Sequence, residues 1–345
     1  MGYELRTNVI EPVRNTFGYL RERFGDRPAT RYQEASFNLQ AMEHFHYRPT
    51  WDPDHDIYDP GYSALKLTDP YSYTDPRQYF YTPYVANAAE RYESFAQTLK
   101  YVEDRRLLDK LPENWRTVLS GFVIPLRHYE AGAQLLSSSA NRFGYGTTLT
   151  QAACFASFDR IGNAQLLSLI GLAVAGGAAD TLSEAKKNWL YAPHLQPLRR
   201  LVEELLVERD WAVGLLGLDL LDEQLYPLLY QHLDERSLYR NAGVYSLLAR
   251  HFNDWYANHR KWLTALMKAW TADPEHAESN RRVLGEIVDR WYPRTCDAVL
   301  TFAQAIADQA GSVTVVGAAE RGFAELAASL SNAGIPTTAP IGASA

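Results

Sequence analysis

Four ionisable side chains fall in otherwise apolar stripes of predicted helices, where they could bind a metal ion. These residues, each on a different helix, are Glu130, Asp159, Glu208 and His251. An unpaired charge in a protein core is costly, so such side chains pair with one another, bind arginine or bind a metal. Helical bundles that hold two metal ions take a Glu from each of two helices and Glu-x-x-His from each of the other two. The pattern raises the hypothesis of a carboxylate-bridged metal centre.

The elements expected to position these residues are long helices. Between residues 85 and 310 the apolar side chains recur at three- and four-residue spacing, which is typical of helices packed on a core. Pro125 should kink the helix that carries Glu130. Residues 311–345 are interpreted as a short strand, VTVV, followed by a helix and a tail. The sequence predicts an all-α fold with a helical domain at 85–310, a C-terminal strand–helix element at 311–345 and an extended N-terminal arm at 1–84.

The arm is rich in aromatic residues and proline, and it shows no helical or strand period. Such a segment should lie against a partner or across the surface of its own chain. We favour a partner, because Tyr and Trp combine a large apolar area with a polar tip and are enriched at interfaces. The residues predicted to contact a partner are Tyr32, Phe37, Phe45, His46, Tyr47, Trp51, Tyr58, Tyr79 and Tyr81.

The order of the four polar helices resembles that of the ferritin-like hydroxylase subunits of bacterial multicomponent monooxygenases. Glu130 falls where these subunits have their first Glu, and D-R-I-G (159–162) falls on their first E-x-x-H motif. Glu208, in LVERDW, falls on their third carboxylate, and L-A-R-H (248–251) falls on their second E-x-x-H motif. The resemblance implies a ferritin-like helical bundle, of the kind found in the small subunit of ribonucleotide reductase.

Both motifs lack a metal-binding side chain in this sequence. Gly162 has no side chain to replace a histidine, Leu248 cannot replace a bridging carboxylate, and Asp159 is shorter than Glu by one methylene. An oxygen-activating iron pair needs both the nitrogen ligand and the bridge. We therefore expect no metal and no catalytic residue in this chain. The degenerate ligand positions are Glu130, Asp159, Gly162, Glu208, Leu248 and His251.

The N-terminal sequence is similar to that of the β subunit in the phenol hydroxylase branch of this family. The resemblance rests on TNVIEPVRNTFGYLRERFGDRPATRYQEASFNLQ, HFHYRPTWDPDHD and DPRQYFY, and it extends from about residue 7 to about residue 310. It implies a structural, non-catalytic subunit in a dimer of αβγ heterotrimers, with the di-iron centre in α and no cofactor in this chain. The implied partners are the α and γ subunits, the second β, a coupling protein and a reductase, and the implied role of the arm is to wrap a neighbouring subunit.

If the metal centre is lost, the buried polar residues need other partners. We expect His251 to face Glu208. The candidate partners for Glu130 and Asp159 are Arg127, Arg160 and a neighbouring tyrosine.

Two other functions remain open at this stage. In the first, the chain is itself a carboxylate-bridged oxidase or hydroxylase that binds at least one metal through the four ionisable residues. In the second, the C-terminal VTVVGAAERG forms a nucleotide-binding or reductase-docking module, although Phe323 and Ala324 stand where a phosphate loop needs Lys and Ser/Thr. A literal E-x-x-H at Glu43–His46 lies in the Pro-rich arm and is interpreted as an interface or local hydrogen-bonding element.

Composition excludes several classes of protein. A net charge of −7 and a pI near 5.8 argue against nucleic acid, which calls for a basic surface. The longest apolar run, residues 166–179, is too short and too rich in glycine to span a bilayer. The two cysteines are far apart, so a disulfide framework or thiolate metal site is not expected. These features predict a cytoplasmic protein.

Overall fold

A computed structural model describes residues 18–41, 53–311 and 314–336, and these parts of the chain contain helices, turns and irregular segments but no strand. The prediction of an all-α fold is confirmed. The α-helices in chain order are α1 (Arg21–Phe24), α2 (Arg31–Ser36), α3 (Tyr81–Asp104), α4 (Glu113–Val118), α5 (Arg127–Phe143), α6 (Thr147–Val174), α7 (Asp180–Tyr191), α8 (Gln196–Leu206), α9 (Trp211–Pro227), α10 (Leu233–Leu238), α11 (Gly243–Thr271), α12 (Ala277–Ala310) and α13 (Thr314–Asn332).

Four long helices enclose the centre of the molecule. Helix α5 packs against α6 and α9, and α11 packs against the same two helices from the other side. Helix α3 crosses α6 and α11 on one flank, while α12 and α13 cover α9 on the other. Apolar side chains from all of these helices form one continuous core. The result is a four-helix bundle with an outer layer of helices, and the core of the bundle is where side chains from facing helices can meet.

The helix boundaries follow from local chemistry. The Asp210 side chain accepts a hydrogen bond from the backbone N–H of Ala212 and so caps the start of α9. Gly311 ends α12 in the left-handed conformation, with a φ of 66° that disfavours residues with a Cβ. Around Pro125, where the sequence predicts a kink, the helix departs from α geometry: α4 continues into a π-turn (Leu119–Val123) and a 3₁₀ turn (Ile124–Leu126) before α5 begins.

The predicted strand in the C-terminal element is wrong. Thr314 to Val316 form the start of helix α13, and the buried side chains of that helix recur every three or four residues. The short β-branched run is therefore overridden by the helical period of the longer segment. Gly317 and Gly322 lie inside this helix, so the loop that the nucleotide-binding alternative requires does not form.

The described parts of the N-terminal arm lie across the chain's own helices. The Ser36 hydroxyl donates to the Gln151 side chain on α6 at 2.6 Å, and the Thr68 hydroxyl donates to Asp273 after α11 at 2.6 Å. Helix α3 begins at Tyr81, three residues before the predicted end of the arm. The arm is therefore attached to the bundle at both of its described segments.

Two arm residues differ from the prediction of a partner contact. Tyr32 and Phe37 are buried by residues of this chain, because Phe37 stacks on Tyr71 and the Tyr32 hydroxyl accepts from the Asp75 backbone N–H. Tyr81, in contrast, is 73% exposed. Tyr58 and Tyr79 are half-buried. The positions that lie outside the described residues are Phe45, His46, Tyr47 and Trp51, together with the Glu43–His46 motif.

In the parts of the chain that the structure describes, each helix is too short or too polar to cross a membrane.

Candidate functional site

An arginine lies at the centre of the four-helix bundle. Arg160 projects from α6 and is fully buried. Its Nη1 donates to Glu130 Oε2 on α5 at 3.2 Å and to Asp222 Oδ1 on α9 at 3.1 Å, and its Nη2 donates to Asp222 Oδ2. The planar guanidinium matches a carboxylate with two parallel hydrogen bonds, which is the geometry it forms with Asp222. We call Arg160, Glu130 and Asp222 the central cluster.

Two tyrosines complete the hydrogen bonding of the carboxylates. The Tyr226 hydroxyl donates to Glu130 Oε1, and the Tyr129 hydroxyl donates to Asp222 Oδ1 at 2.6 Å. Each acid of the central cluster therefore receives hydrogen bonds from one arginine and one tyrosine. Buried charges are stable only with such partners, so the tyrosines belong to the structural unit.

Aromatic rings from α11 close the cluster on its remaining side. The Arg160 guanidinium lies 4.8 Å from the ring centroid of Trp255, at a distance that gives a cation–π attraction. Trp255 stacks on His259 with ring centroids 4.6 Å apart, and Trp262 Nε1 donates to His259 Nδ1. Helix α11 thus contributes aromatic rings, and no carboxylate, to the surroundings of Arg160.

Burial and charge set the protonation of the cluster. Burial raises the pKa of Glu130, and the adjacent Arg160 opposes that rise only in part. Burial acts to lower the pKa of Arg160, but Asp222 and Glu130 outweigh it and leave that pKa well above its usual value. Burial, reinforced by Arg160, lowers the pKa of His259 far below its usual value. The centre therefore holds a permanent cation beside a neutral histidine.

The donor set does not fit an iron pair. Arg160 and Asn163 occupy the inward i and i+3 positions of α6, where a two-metal bundle places Glu-x-x-His. A guanidinium has five N–H donors and no lone pair to offer a metal ion. Among residues 18–41, 53–311 and 314–336, no group of three or more His, Cys, Asp or Glu side chains is arranged to bind a metal. The central cluster is an ion-pair core.

Of the degenerate ligand positions, Glu130 reaches the centre as predicted, and its predicted pairing with Arg160 and a tyrosine is confirmed. Asp159 instead points towards α3, where it accepts from Arg91 and from the Tyr84 hydroxyl at 3.1 Å. The side of α6 that faces the bundle centre and the side that faces α3 are both buried, so the apolar pattern of the sequence did not distinguish one from the other.

Gly162 lies on the same α3-facing side of α6 as Asp159. A Cβ at Gly162 would lie 1.6 Å from the Tyr92 hydroxyl oxygen, so the glycine allows α3 to approach closely. The Asp-x-x-Gly spacing reflects helix packing.

The other predicted positions lie apart from the cluster. Glu208 lies between α8 and α9 and forms an ion pair with Arg290 at 2.8 Å. The His251 Nε2 lies 2.9 Å from the Thr98 hydroxyl of α3. Leu248 is a buried apolar residue of the core. The predicted pairing of His251 with Glu208 is wrong, because each has a different partner. Burial lowers the pKa of His251, which favours its neutral form.

A second arginine cluster lies next to the first, between α9 and α11. Arg260 of α11 forms ion pairs with Asp219 and with Glu223, both of α9. We call these three residues the lateral cluster. Burial, with a further contribution from the nearby Asp219 charge, raises the pKa of Glu223 to about 7. The lateral cluster lines a cavity of about 350 Å³ between α9, α11, α12 and α13.

Sequence reasoning named Arg160 and a tyrosine as partners of Glu130, but it missed Asp222 and did not identify Tyr129 and Tyr226 as the tyrosines involved. One signal was available in WAVGLLGLDLLDEQLYP (211–227), an otherwise apolar segment in which Asp219, Asp222 and Tyr226 share a helical face. Buried acids of this kind require cations, and Arg160 of α6 pairs with Asp222 while Arg260 of α11 pairs with Asp219.

Comparison with known proteins agrees with the bundle geometry. The profile of the methane/phenol/alkene hydroxylase family matches residues 51–274. The oxygenase component DmpL of phenol 2-monooxygenase from Pseudomonas sp. strain CF600 is 39% identical over 305 residues, covering 88% of this chain and 91% of DmpL. The small subunit of the hydroxylase component of propane 2-monooxygenase from Mycolicibacterium goodii is 26% identical over 280 residues, covering 78% of this chain and 76% of that protein.

A solved structure shows the same fold. A chain in the crystal structure of xenon-pressurised phenol hydroxylase from Pseudomonas sp. OX1 matches with a TM-score of 0.89 and 36% identity, covering 98% of this chain and 99% of that one. The protein belongs to the methane/phenol/alkene hydroxylase family. It is a phenol hydroxylase-like subunit, and its fold is the ferritin-like helical bundle predicted from the sequence.

Proposed function

We propose that this chain is the small, non-catalytic β subunit of the hydroxylase in a phenol-type multicomponent monooxygenase. In this proposal an α subunit contains the di-iron centre that hydroxylates the arene with O₂, and the present chain stabilises α in an assembly that also contains γ and a second β. The observation that carries the proposal is the Arg160 guanidinium between Glu130 and Asp222. The name of the Mycolicibacterium relative, a hydroxylase small subunit, supports the same role.

The charge at the centre of the bundle supports this role. Buried carboxylates need positive charge, and in a two-metal bundle the metal ions provide it. Here the guanidinium provides it through a covalent tether, so the core is neutralised without a cofactor. A guanidinium remains protonated, coordinates no oxygen species and undergoes no redox change at neutral pH. In this proposal the bundle serves as a structural unit.

An exposed apolar surface supports the assembly role. Phe158, Ile161 and Leu169 lie along one outward face of α6 and are 51%, 44% and 44% exposed. Leu135 of α5 and Tyr81 of α3 are exposed as well. Exposed apolar side chains grouped on one helix face are often found at interaction sites, and on this face the exposed Gln165 lies between Ile161 and Leu169. We propose that the α6 face contacts a partner subunit and that the coupling protein and the reductase act on the completed assembly.

The experiment is co-expression of this chain with candidate α and γ subunits, followed by gel filtration and measurement of phenol hydroxylation. The test variant is Phe158→Glu/Ile161→Glu, which places two charges on the apolar face. The control is Ala324→Glu/Ala328→Glu, which places the same two charges on exposed positions of α13.

We expect the test variant to lose the complex and the activity while the control retains both. Normal assembly of the test variant would contradict the docking face. Full activity of α and γ without this chain would contradict the proposed function.

A further inference from the structure

The lateral cluster forms the polar end of a cavity that the proposed function does not use. The cavity has a volume of about 350 Å³, within the range of small-molecule sites. Its walls come from buried aliphatic side chains of three helices. These side chains are Leu216, Leu220, Leu284, Ile287, Leu326 and Leu330. The cavity is lined by Asp219, Glu223 and Arg260, whereas the central cluster consists of Arg160, Glu130 and Asp222, so the two sites use different side chains.

The polar end has acceptor capacity for a ligand. Arg260 Nη1 donates to Asp219 Oδ1, and Arg260 Nη2 pairs with Glu223 Oε1. An ionised carboxylate has two oxygens and about four lone-pair directions, so an ion pair through one oxygen leaves sites for another donor. A hydroxyl group at this end can donate to a carboxylate.

The cavity opens to solvent on the α11 and α13 side. Thr264 and Lys268 of α11 and Ser329 of α13 line the cavity and are exposed. When all groups are ionised, the charges of Asp219 and Glu223 cancel those of Arg260 and Lys268. The site therefore has apolar walls and one hydrogen-bonding end where charges of both signs lie close together, a combination that suits a neutral amphipathic molecule better than an ion.

We propose that this cavity binds a phenol, with the aromatic ring between the leucines and the hydroxyl donating to the carboxylates of the lateral cluster. The choice of a phenol over another neutral alcohol rests on the proposed function. The aliphatic walls accommodate a flat ring, and Arg260 holds the carboxylates in position to accept the hydroxyl. This is a second phenol site, in a chain whose own bundle centre is closed by Arg160.

The experiment locates 4-bromophenol by bromine anomalous scattering in crystals of the full chain, in whichever assembly it purifies. The test variant is Thr264→Trp, which blocks the cavity mouth at an exposed position and so preserves the fold. Thr301→Trp on the exposed side of α12, away from the cavity, is the matched control. Titration of 4-fluorophenol followed by ¹⁹F NMR provides the affinity of each variant.

We expect a bromine peak between Leu220, Ile287 and Leu330, with the phenol oxygen towards Glu223. Thr264→Trp should remove the peak and weaken binding at this site at least tenfold, and Thr301→Trp should retain both. Absence of a peak in the cavity at saturating 4-bromophenol overturns the inference, as does unchanged occupancy in Thr264→Trp.

The outcome is independent of the assembly experiment. A chain that assembles with α but shows no bromine peak in the cavity disproves only the second site. A chain that binds 4-bromophenol here but never associates with α disproves only the β-subunit role.

Discussion

Arg160 and Arg260 each lie between two carboxylates, and both clusters use acids from helix α9. In the central cluster the side chains of Arg160, Glu130 and Asp222 are 0%, 3% and 1% exposed. In the lateral cluster those of Arg260, Asp219 and Glu223 are 22%, 8% and 24% exposed. The two clusters have the same chemical groups, so the difference between them is one of enclosure.

Enclosure decides what each cluster can do. Two tyrosines donate to the central carboxylates, and Trp255 covers the guanidinium. The lateral cluster borders a cavity instead. A closed ion pair is a structural element, whereas a partly open one retains acceptor capacity for a ligand. The comparison makes quantitative predictions about both sites.

Arg160→Met should cause the largest loss of unfolding free energy. The substitution leaves Glu130 and Asp222 buried without their cation, and breaking a buried ion pair in this way costs about 3–5 kcal/mol. Thermal unfolding followed by circular dichroism measures the loss. Glu130→Leu/Arg160→Met/Asp222→Leu should recover most of the stability, because it removes the buried charges together. If the Arg160→Met variant were as stable as the wild type, the central role of Arg160 would be contradicted.

Arg260→Met should have a smaller effect, about 1–2 kcal/mol. Water can reach the lateral carboxylates and screen them, so the value should lie between those of exposed and buried ion pairs. The same unfolding measurement applies. If Arg260→Met cost as much as Arg160→Met, enclosure would not be the property that separates the two clusters.

Gly162→Ala tests the side of α6 that faces α3, away from the central cluster. A Cβ there overlaps the Tyr92 hydroxyl, which should cost more than the roughly 1 kcal/mol gained from better helix propensity. We expect a net loss of about 1 kcal/mol in unfolding free energy, partly recovered by Gly162→Ala/Tyr92→Phe. Stabilisation by the alanine would show that α3 does not pack closely here.

Glu223→Gln should flatten the dependence of the unfolding free energy on pH. The pKa of Glu223 is raised to about 7 by burial and by Asp219, so the folded protein holds a proton that the unfolded chain has already lost. This contribution is present below the ordinary pKa of a glutamate and is lost as pH rises towards 7. Unfolding at a series of pH values should show a flatter curve for Glu223→Gln. Glu286→Gln, at an exposed position, is the control, and an unchanged slope in Glu223→Gln would contradict the assignment.

The sequence predicted the helices far better than the contacts between them. The three- and four-residue spacing located the bundle, and Pro125 marked the place where α geometry is interrupted before α5. The face of α6 was misjudged because Asp159 and Arg160 are both buried, on sides that contact different helices. Neighbouring residues on a helix are about 100° apart around its axis, so Asp159 faces α3 while the next residue, Arg160, faces the bundle centre.

Other errors have separate causes. Asp222 lies 62 residues from Arg160 in the chain, and local periodicity carries no information on pairings over that distance. Glu208 was placed within a helix, but α8 ends before it and α9 begins after it. The local β-propensity at residues 313–316 was outweighed by the helical pattern that follows it.

Measuring the iron content of the protein tests most directly whether Arg160 occupies the place where metal ions would bind. Iron per chain would be determined by elemental analysis of the full chain purified alone and of the assembly formed on co-expression with α and γ. We predict no bound iron in the chain alone, with iron and phenol hydroxylation present only in the assembly. Near-stoichiometric iron in the chain alone would contradict the account and restore the alternative of a catalytic metal centre in this bundle.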